Sequence, residues 1–195
     1  MANKKTLALS NEQYSKIIEA IVNGFEFEGK QIQPNSRIAT ALVIEANLGI
    51  RIGDVLNLRL TDIIKDGQRF RLDVIEDKTE KTRTFTVPEV IFNFIKEYCI
   101  KNEIKETAKI FQLGERAVQK QLKITCDFLG YKGISTHSFR KYFATNIYIN
   151  NNYNIELVRQ LLQHSVVETS QKYIGIGTKE LEQAIQNNVN LLKTF

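Results

Sequence analysis

Apolar residues recur at helical spacing along almost the whole chain, and a single stretch breaks that rhythm. Ser10 with Gln13 forms a capping box ahead of the stripe Tyr14, Ile17, Ile18, Ile21 and Val22. Gly24 to Gln33 reads as a loop closed by Pro34. Ser36 to Leu48 reads as a buried helix that Gly49 ends, and a short helix over Ile52 to Leu58 follows. The break comes next. Phe70 to Ile75 and Thr84 to Val87 are rich in β-formers and flank the charged run DKTEKTR, which predicts a hairpin. Pro88 then opens a helix to about Asn102. Helices are expected again over Glu115 to Leu129, His137 to Asn150, Ile155 to His164, Val167 to Tyr173 and Lys179 to Leu192. With no repeat, low-complexity tract or linker, the expectation is a mainly α chain with a small antiparallel β-sheet, an α+β fold.

Composition removes several chemistries. Two cysteines, Cys99 and Cys126, and two histidines leave no Cys-rich zinc site or disulfide framework, and the cysteines read as buried thiols. No run approaches the roughly 18–20 apolar residues of a membrane span, and the N-terminus lacks a signal-peptide core, so the expected location is the cytoplasm.

The formal charge is +5. Residues 1–50 are neutral. Between Arg116 and Lys141 six basic residues (Arg116, Lys120, Lys123, Lys132, Arg140, Lys141) face one acid, Asp127, so this stretch holds a surplus equal to that of the whole chain. On a helix from Glu115, Arg116, Lys120 and Lys123 share one face opposite Val118, Leu122, Cys126 and Leu129. A solvated lysine face has the same pattern. Its place just before the His137–Arg140 segment makes it, with Lys141, a candidate surface for a phosphate backbone.

Four segments carry groups suited to phosphoryl chemistry. Arg51 lies between a helix stop and a helix start, with Asp54 three residues on. Lys78 sits in the hairpin turn. Thr136-His137-Ser138-Phe139-Arg140 offers Thr136 as a helix cap with His137 and Arg140 in the first turns. Leu161-Leu162-Gln163-His164 precedes Tyr173 by nine residues. Singly, each has an ordinary structural explanation: a surface ion pair, a solvated turn, a capping histidine, a packed tyrosine.

Together and in this order, they resemble the tyrosine recombinase, or phage integrase, family. Its pattern is an Arg in a G-[LI]-R-x-x-[ED] segment, a hairpin Lys, an H-x-[LF]-R segment, then L-x-H with the nucleophilic Tyr nine residues on. Arg51 with Asp54, Lys78, His137, Arg140, His164 and Tyr173 fill these places, over about residues 10–180. Gln163 stands where Gly is usual, Phe139 where Leu is commoner, and Asp54 where Glu is frequent. The separate helical domain that typically precedes the catalytic one has no counterpart here, as in a short family member or a piece of a longer integrase. The implied fold is that of the tyrosine recombinase catalytic domain over residues 1–178, with residues 179–195 a C-terminal helix. Its stripe Leu181, Ile185, Val189 and Leu192 makes it a candidate tether between protomers.

The resemblance implies attack of the Tyr173 hydroxyl on a DNA phosphodiester, giving a 3′-phosphotyrosine and a free 5′-hydroxyl. Arg51 and Arg140 would hold the non-bridging oxygens, since a guanidinium stays charged and matches them bidentately. Lys78 would be general acid to the leaving oxygen, with Lys81 its competitor. His137 would take the Tyr173 proton, His164 would bond a phosphate oxygen, and Asp54 would orient its neighbours. No metal or cofactor is implied. The partners are double-stranded DNA and other copies of the chain, a homotetramer on DNA that associates weakly without it. The function is site-specific DNA recombination: integration, excision or inversion. The rivals are type IB topoisomerase-like relaxation and a non-catalytic DNA-binding regulator.

Overall fold

The computed structural model describes residues 7–75, 82–162 and 167–174. Helix α1 (Asn11–Asn23) starts with the expected capping box: Gln13 N–H donates to Ser10 Oγ at 3.1 Å, and Ser10 N–H donates to Gln13 Oε1 at 3.0 Å. Its stripe buries Ile17 and Ile21.

The segment expected as a loop is instead a small hairpin, β1 (Phe25–Phe27) with β2 (Lys30–Ile32). Glu28 and Gly29 at its tip both have positive φ, 50° and 69°, as a two-residue turn of matching twist requires. Phe25 stacks on Phe128 with centroids 4.3 Å apart, which pins the hairpin to the end of helix α5 (Glu115–Phe128).

Helix α2 (Ser36–Leu48) is the central element, packed against α1, α3 (Ile52–Asn57) and α6 (Thr136–Asn150). It buries Ile38, Ala41, Leu42, Ile44 and Leu48, and with them one carboxylic acid, Glu45. Helix α3 (Ile52–Asn57) follows at once.

The sheet has three strands rather than the two expected: β3 (Ile63–Asp66), β4 (Arg69–Ile75) and β5 (Thr82–Val87), antiparallel in that order. Ile63 pairs with Leu72 and Leu72 with Phe85, so these three side chains line one buried face. Phe70 stacks on Phe92 of α4 (Glu89–Lys101), and Pro88 caps that helix. Lys78 and Lys81 lie outside the described residues, between β4 and β5.

Helices α5 (Glu115–Phe128), α6 (Thr136–Asn150), α7 (Ile155–Leu162) and α8 (Val167–Ile174) complete the described chain. Thr136 is the first residue of α6 and not its cap. Ser135 takes the N-cap position with an extended backbone (φ −144°, ψ 178°), and its N–H donates to Ser138 Oγ at 3.1 Å. Helix α6 joins two apolar clusters. Its Phe139 belongs to the main core around α2, and its Ala144 packs with Val158, Leu162 and Tyr173 in a second one. Tyr173 is thereby fixed to α6 and α7.

Cys99 and Cys126 are buried free thiols, and burial pushes Cys126 up to about 11. Among the described residues, no helix is long and apolar enough to cross a membrane. The expected C-terminal helix, with Leu181, Ile185, Val189 and Leu192, falls outside them, as do Gln163 and His164.

Candidate active site

The site is built where α2 ends. Gly49 adopts the left-handed conformation (φ 65°, ψ 15°), and its N–H donates to the Glu45 carbonyl at 2.9 Å. This turn directs the chain into Ile50, which is fully buried, and then into Arg51, which is exposed. An added Cβ at Gly49 would overlap the Phe143 ring, so position 49 needs glycine for both φ and space.

Arg140, one turn into α6, is 4% exposed. It donates to the carbonyl of Gly49 and, at 3.3 Å, to that of Leu162. One guanidinium thus joins the ends of α2 and α7, and burying it depends on those acceptors. His137 lies one turn before Arg140 and keeps part of its surface open. Desolvation, then the positive charges of Arg140, Arg51 and Lys141, hold its imidazole below its ordinary 6.5. The ring is therefore neutral at pH 7 and has a nitrogen able to accept a proton.

Tyr173 presents a buried hydroxyl to the same place. Burial pushes this phenol up to about 12; Glu45 adds to the rise, while the charges of Arg140 and Arg51 oppose it. The Lys141 ammonium lies 5.2 Å from the centre of the Tyr173 ring. Lys141, expected on an outward basic face, is therefore half-buried against the phenol.

A cavity of about 520 Å³ opens beside this centre, lined among others by Arg51, Asp54, Asn57, Glu115, Thr136 and His137. Asp54 lies in the first turn of α3. On α5 the amphipathic reading holds: Val118, Leu122 and Cys126 are buried, while Arg116, Lys120 and Lys123 are exposed. Lys123 is paired with Asp127 at 2.6 Å. Tyr142 and Tyr148, the two tyrosines of α6, are engaged elsewhere. Tyr142 stacks on Tyr14 and donates to Asn11 Oδ1 at 2.9 Å, and Tyr148 packs edge-on against Tyr153.

Four of the six candidate catalytic residues, Arg51, His137, Arg140 and Tyr173, thus meet at the junction of α2, α6 and α8. The phage integrase family model matches residues 7–179 of the sequence.

The chain belongs to the phage integrase family.

Among curated relatives, it is 26% identical over 204 residues to tyrosine recombinase XerA of Pyrococcus furiosus, covering 98% of this chain and 65% of that protein. It is 26% identical over 191 residues to tyrosine recombinase XerC of Caldanaerobacter subterraneus, covering 92% and 50%. A probable integrase/recombinase of Acholeplasma phage L2 is 30% identical over 144 residues, covering 69% and 47%. The chain therefore spans about half to two thirds of the length of these relatives.

Solved structures share the fold. The XerH site-specific recombinase bound to a palindromic difH substrate superposes with a TM-score of 0.70 at 22% identity, covering 95% of this chain and 54% of that one. The catalytic domain of bacteriophage HP1 integrase gives 0.65 at 18%, covering 94% and 96%. This phage integrase family member therefore has the tyrosine recombinase catalytic-domain fold, helical with small antiparallel sheets.

Two participants of the centre escaped sequence reasoning. One is Glu45, whose signal was a lone acid inside the apolar run ALVIEANL. The other is the Gly49 carbonyl, which had no signal, since its partner Arg140 lies 91 residues away.

Proposed function

We propose that the chain cuts and rejoins double-stranded DNA as a site-specific recombinase, with Tyr173 as nucleophile. The observation that carries this reading is the placement of one tyrosine hydroxyl beside two arginines and a histidine. Tyr173 Oη attacks the phosphorus, and the new O–P bond replaces the bond to the 5′ oxygen. The phenolic proton passes to His137, and the 5′ oxygen takes a proton from Lys78. Arg51 and Arg140 offset the charge that grows on the non-bridging oxygens. His164 adds a hydrogen bond to the same oxygens, and Asp54 orients the Arg51 turn. Reversal with a new 5′-hydroxyl rejoins the strand, because the phosphoester bond energy is retained.

The raised phenol explains why a base is needed: at pH 7 almost no Tyr173 is ionised. The exposed Arg116, Lys120 and Lys123 and the half-buried Lys141 supply positive charge for the DNA backbone. Residues 1–178 form the catalytic domain, and 179–195 tether neighbouring protomers into a tetramer on DNA, in the cytoplasm. The relatives named tyrosine recombinases, and the XerH complex with its difH substrate, support this reading.

The test is strand exchange between two labelled duplexes carrying one recognition site, together with the size of the complex on DNA. The proposal expects exchanged products and a four-protomer assembly. Relaxation of supercoiled DNA without exchange would overturn recombination in favour of a topoisomerase-like activity.

A further inference from the structure

One buried acid, Glu45, takes no part in the chemistry of the Arg51–His137–Arg140–Tyr173 centre. Glu45 has no exposed surface, and neither carboxyl oxygen has a hydrogen-bonding partner of good geometry. It lies one helical turn before Gly49, the residue whose carbonyl Arg140 holds, on a helix packed against α6. Each element around it contributes a group. Arg140 from α6 favours the anion, as does the backbone N–H of Ile52 at the start of α3. Asp54 of α3 and Glu115 of α5 oppose it. Tyr173 of α8 feels it in turn, and α1 adds apolar Ile17 and Ile21 to the core that α2 shares.

We propose that Glu45 is a positioning residue of the two-arginine centre. Uncharged, it leaves Arg140 to the scissile phosphate; ionised, it competes with the phosphate for that guanidinium. This inference rests on the reading of Arg51 and Arg140 as the phosphate clamp.

Two observations make the competition physical. Arg140 already gives donors to the Gly49 and Leu162 carbonyls and bonds the Tyr173 hydroxyl, so a carboxylate and a phosphate would compete for a guanidinium that is already engaged. Burial places the acid's ionisation near 9, so the neutral form prevails at pH 7. A bound phosphate adds negative charge and drives Glu45 further toward its neutral form. By linkage, ionising Glu45 must then weaken phosphate binding by the same factor. Inert packing would make no such connection between pH and DNA affinity.

The experiment compares the full chain carrying Tyr173→Phe, which binds without covalent capture, with and without Glu45→Gln. The probe is a nicked duplex pool of randomised sequence, bound at fixed salt from pH 7.5 to 10. The expected result is that the affinity advantage of the Glu45→Gln chain grows about tenfold over that range, since one proton is linked to binding. Glu45→Leu, also uncharged, should show the same change. An affinity ratio constant within twofold at all pH values would overturn the proposal, because a packing role moves every point equally. The parent chain with Tyr173 intact is run beside them for covalent attachment. Failure there would remove the recombinase reading, whereas superposed pH profiles with attachment intact would remove only the role of Glu45.

Discussion

Arg140 donates a hydrogen bond to the carbonyl of Gly49, so one candidate phosphate-binding arginine fixes the main chain two residues before the other, Arg51. The clamp is therefore assembled by the fold and does not depend on two independent surface side chains. That relationship separates the two arginines experimentally. Arg51→Ala should leave stability within about 0.5 kcal/mol, because the side chain is exposed. Arg140→Ala should cost about 3 kcal/mol, since it strands buried carbonyls of Gly49 and Leu162. Both should lower the rate of DNA cleavage by roughly a hundredfold to a thousandfold. Urea melts and single-turnover cleavage measure the two effects. Equal loss of stability in both variants would contradict the assignment.

Gly49→Ala tests the turn itself. A left-handed φ costs an alanine about 1–2 kcal/mol. Overlap with Phe143 adds roughly 1–3 kcal/mol. Phe143 lies on α6 three residues after Arg140, so relief of the overlap moves the arginine as well. A lower denaturation midpoint and slower cleavage are expected together. A variant as stable as the parent would show that the turn tolerates a side chain.

The acid side of the pH profile belongs to His137. Its folded value lies below the ordinary 6.5, so the unfolded chain binds its proton more readily near pH 6. Stability from this group is complete above 6.5 and is lost as pH falls through the lower, folded value. Tyr173 deprotonation needs the same neutral form. On the acid side, cleavage at subsaturating DNA should thus hold down to pH 6.5 and decline below it, and His137→Asn should be slow with that limb removed. An unchanged limb in the variant would place the proton acceptor elsewhere.

Glu45 makes a second, opposite pH prediction that needs no DNA. Its value rises from 4.5 to about 9 on folding, so the folded chain keeps a proton that the unfolded chain releases. Stability is greatest below pH 4.5, falls as pH rises, and levels off above about 9. At pH 7 the cost is of order 3 kcal/mol at 1.36 kcal/mol per pH unit. Glu45→Gln should therefore be more stable than the parent by an amount that grows from pH 5 to pH 8.5 in urea melts. A difference independent of pH would contradict a buried, titrating acid. A stability cost held beside reacting groups is also the pattern expected of a functional acid.

Local physics was legible in the sequence. The Ser10–Gln13 cap, the stop at Gly49, the start at Pro88 and the buried face of α5 each depend on residues within a few positions, and each appears as read. Most of the differences come from distant contacts. The β1–β2 hairpin has strands of three residues, too short for an alternation to register, and is held by Phe25 against Phe128. Strand β3 is marked in the sequence by Gly67, which at φ 64° opens the two-residue turn Gly67-Gln68 into β4. The order of Arg51, His137, Arg140 and Tyr173 identified the centre. That Arg140 is anchored on the Gly49 carbonyl and faces a sealed Glu45 depends on how α2 meets α6.

Strand exchange by this chain turns on a covalent bond between Tyr173 and DNA. Incubating the chain with nicked duplex, digesting the denatured products with protease and sequencing the nucleotide-bearing peptide by mass spectrometry tests it most directly. The expected result is a 3′-phosphate-linked nucleotide on Tyr173 and no adduct in Tyr173→Phe. An adduct on another residue such as Tyr142 or Tyr148, or one that persists in Tyr173→Phe, would contradict it.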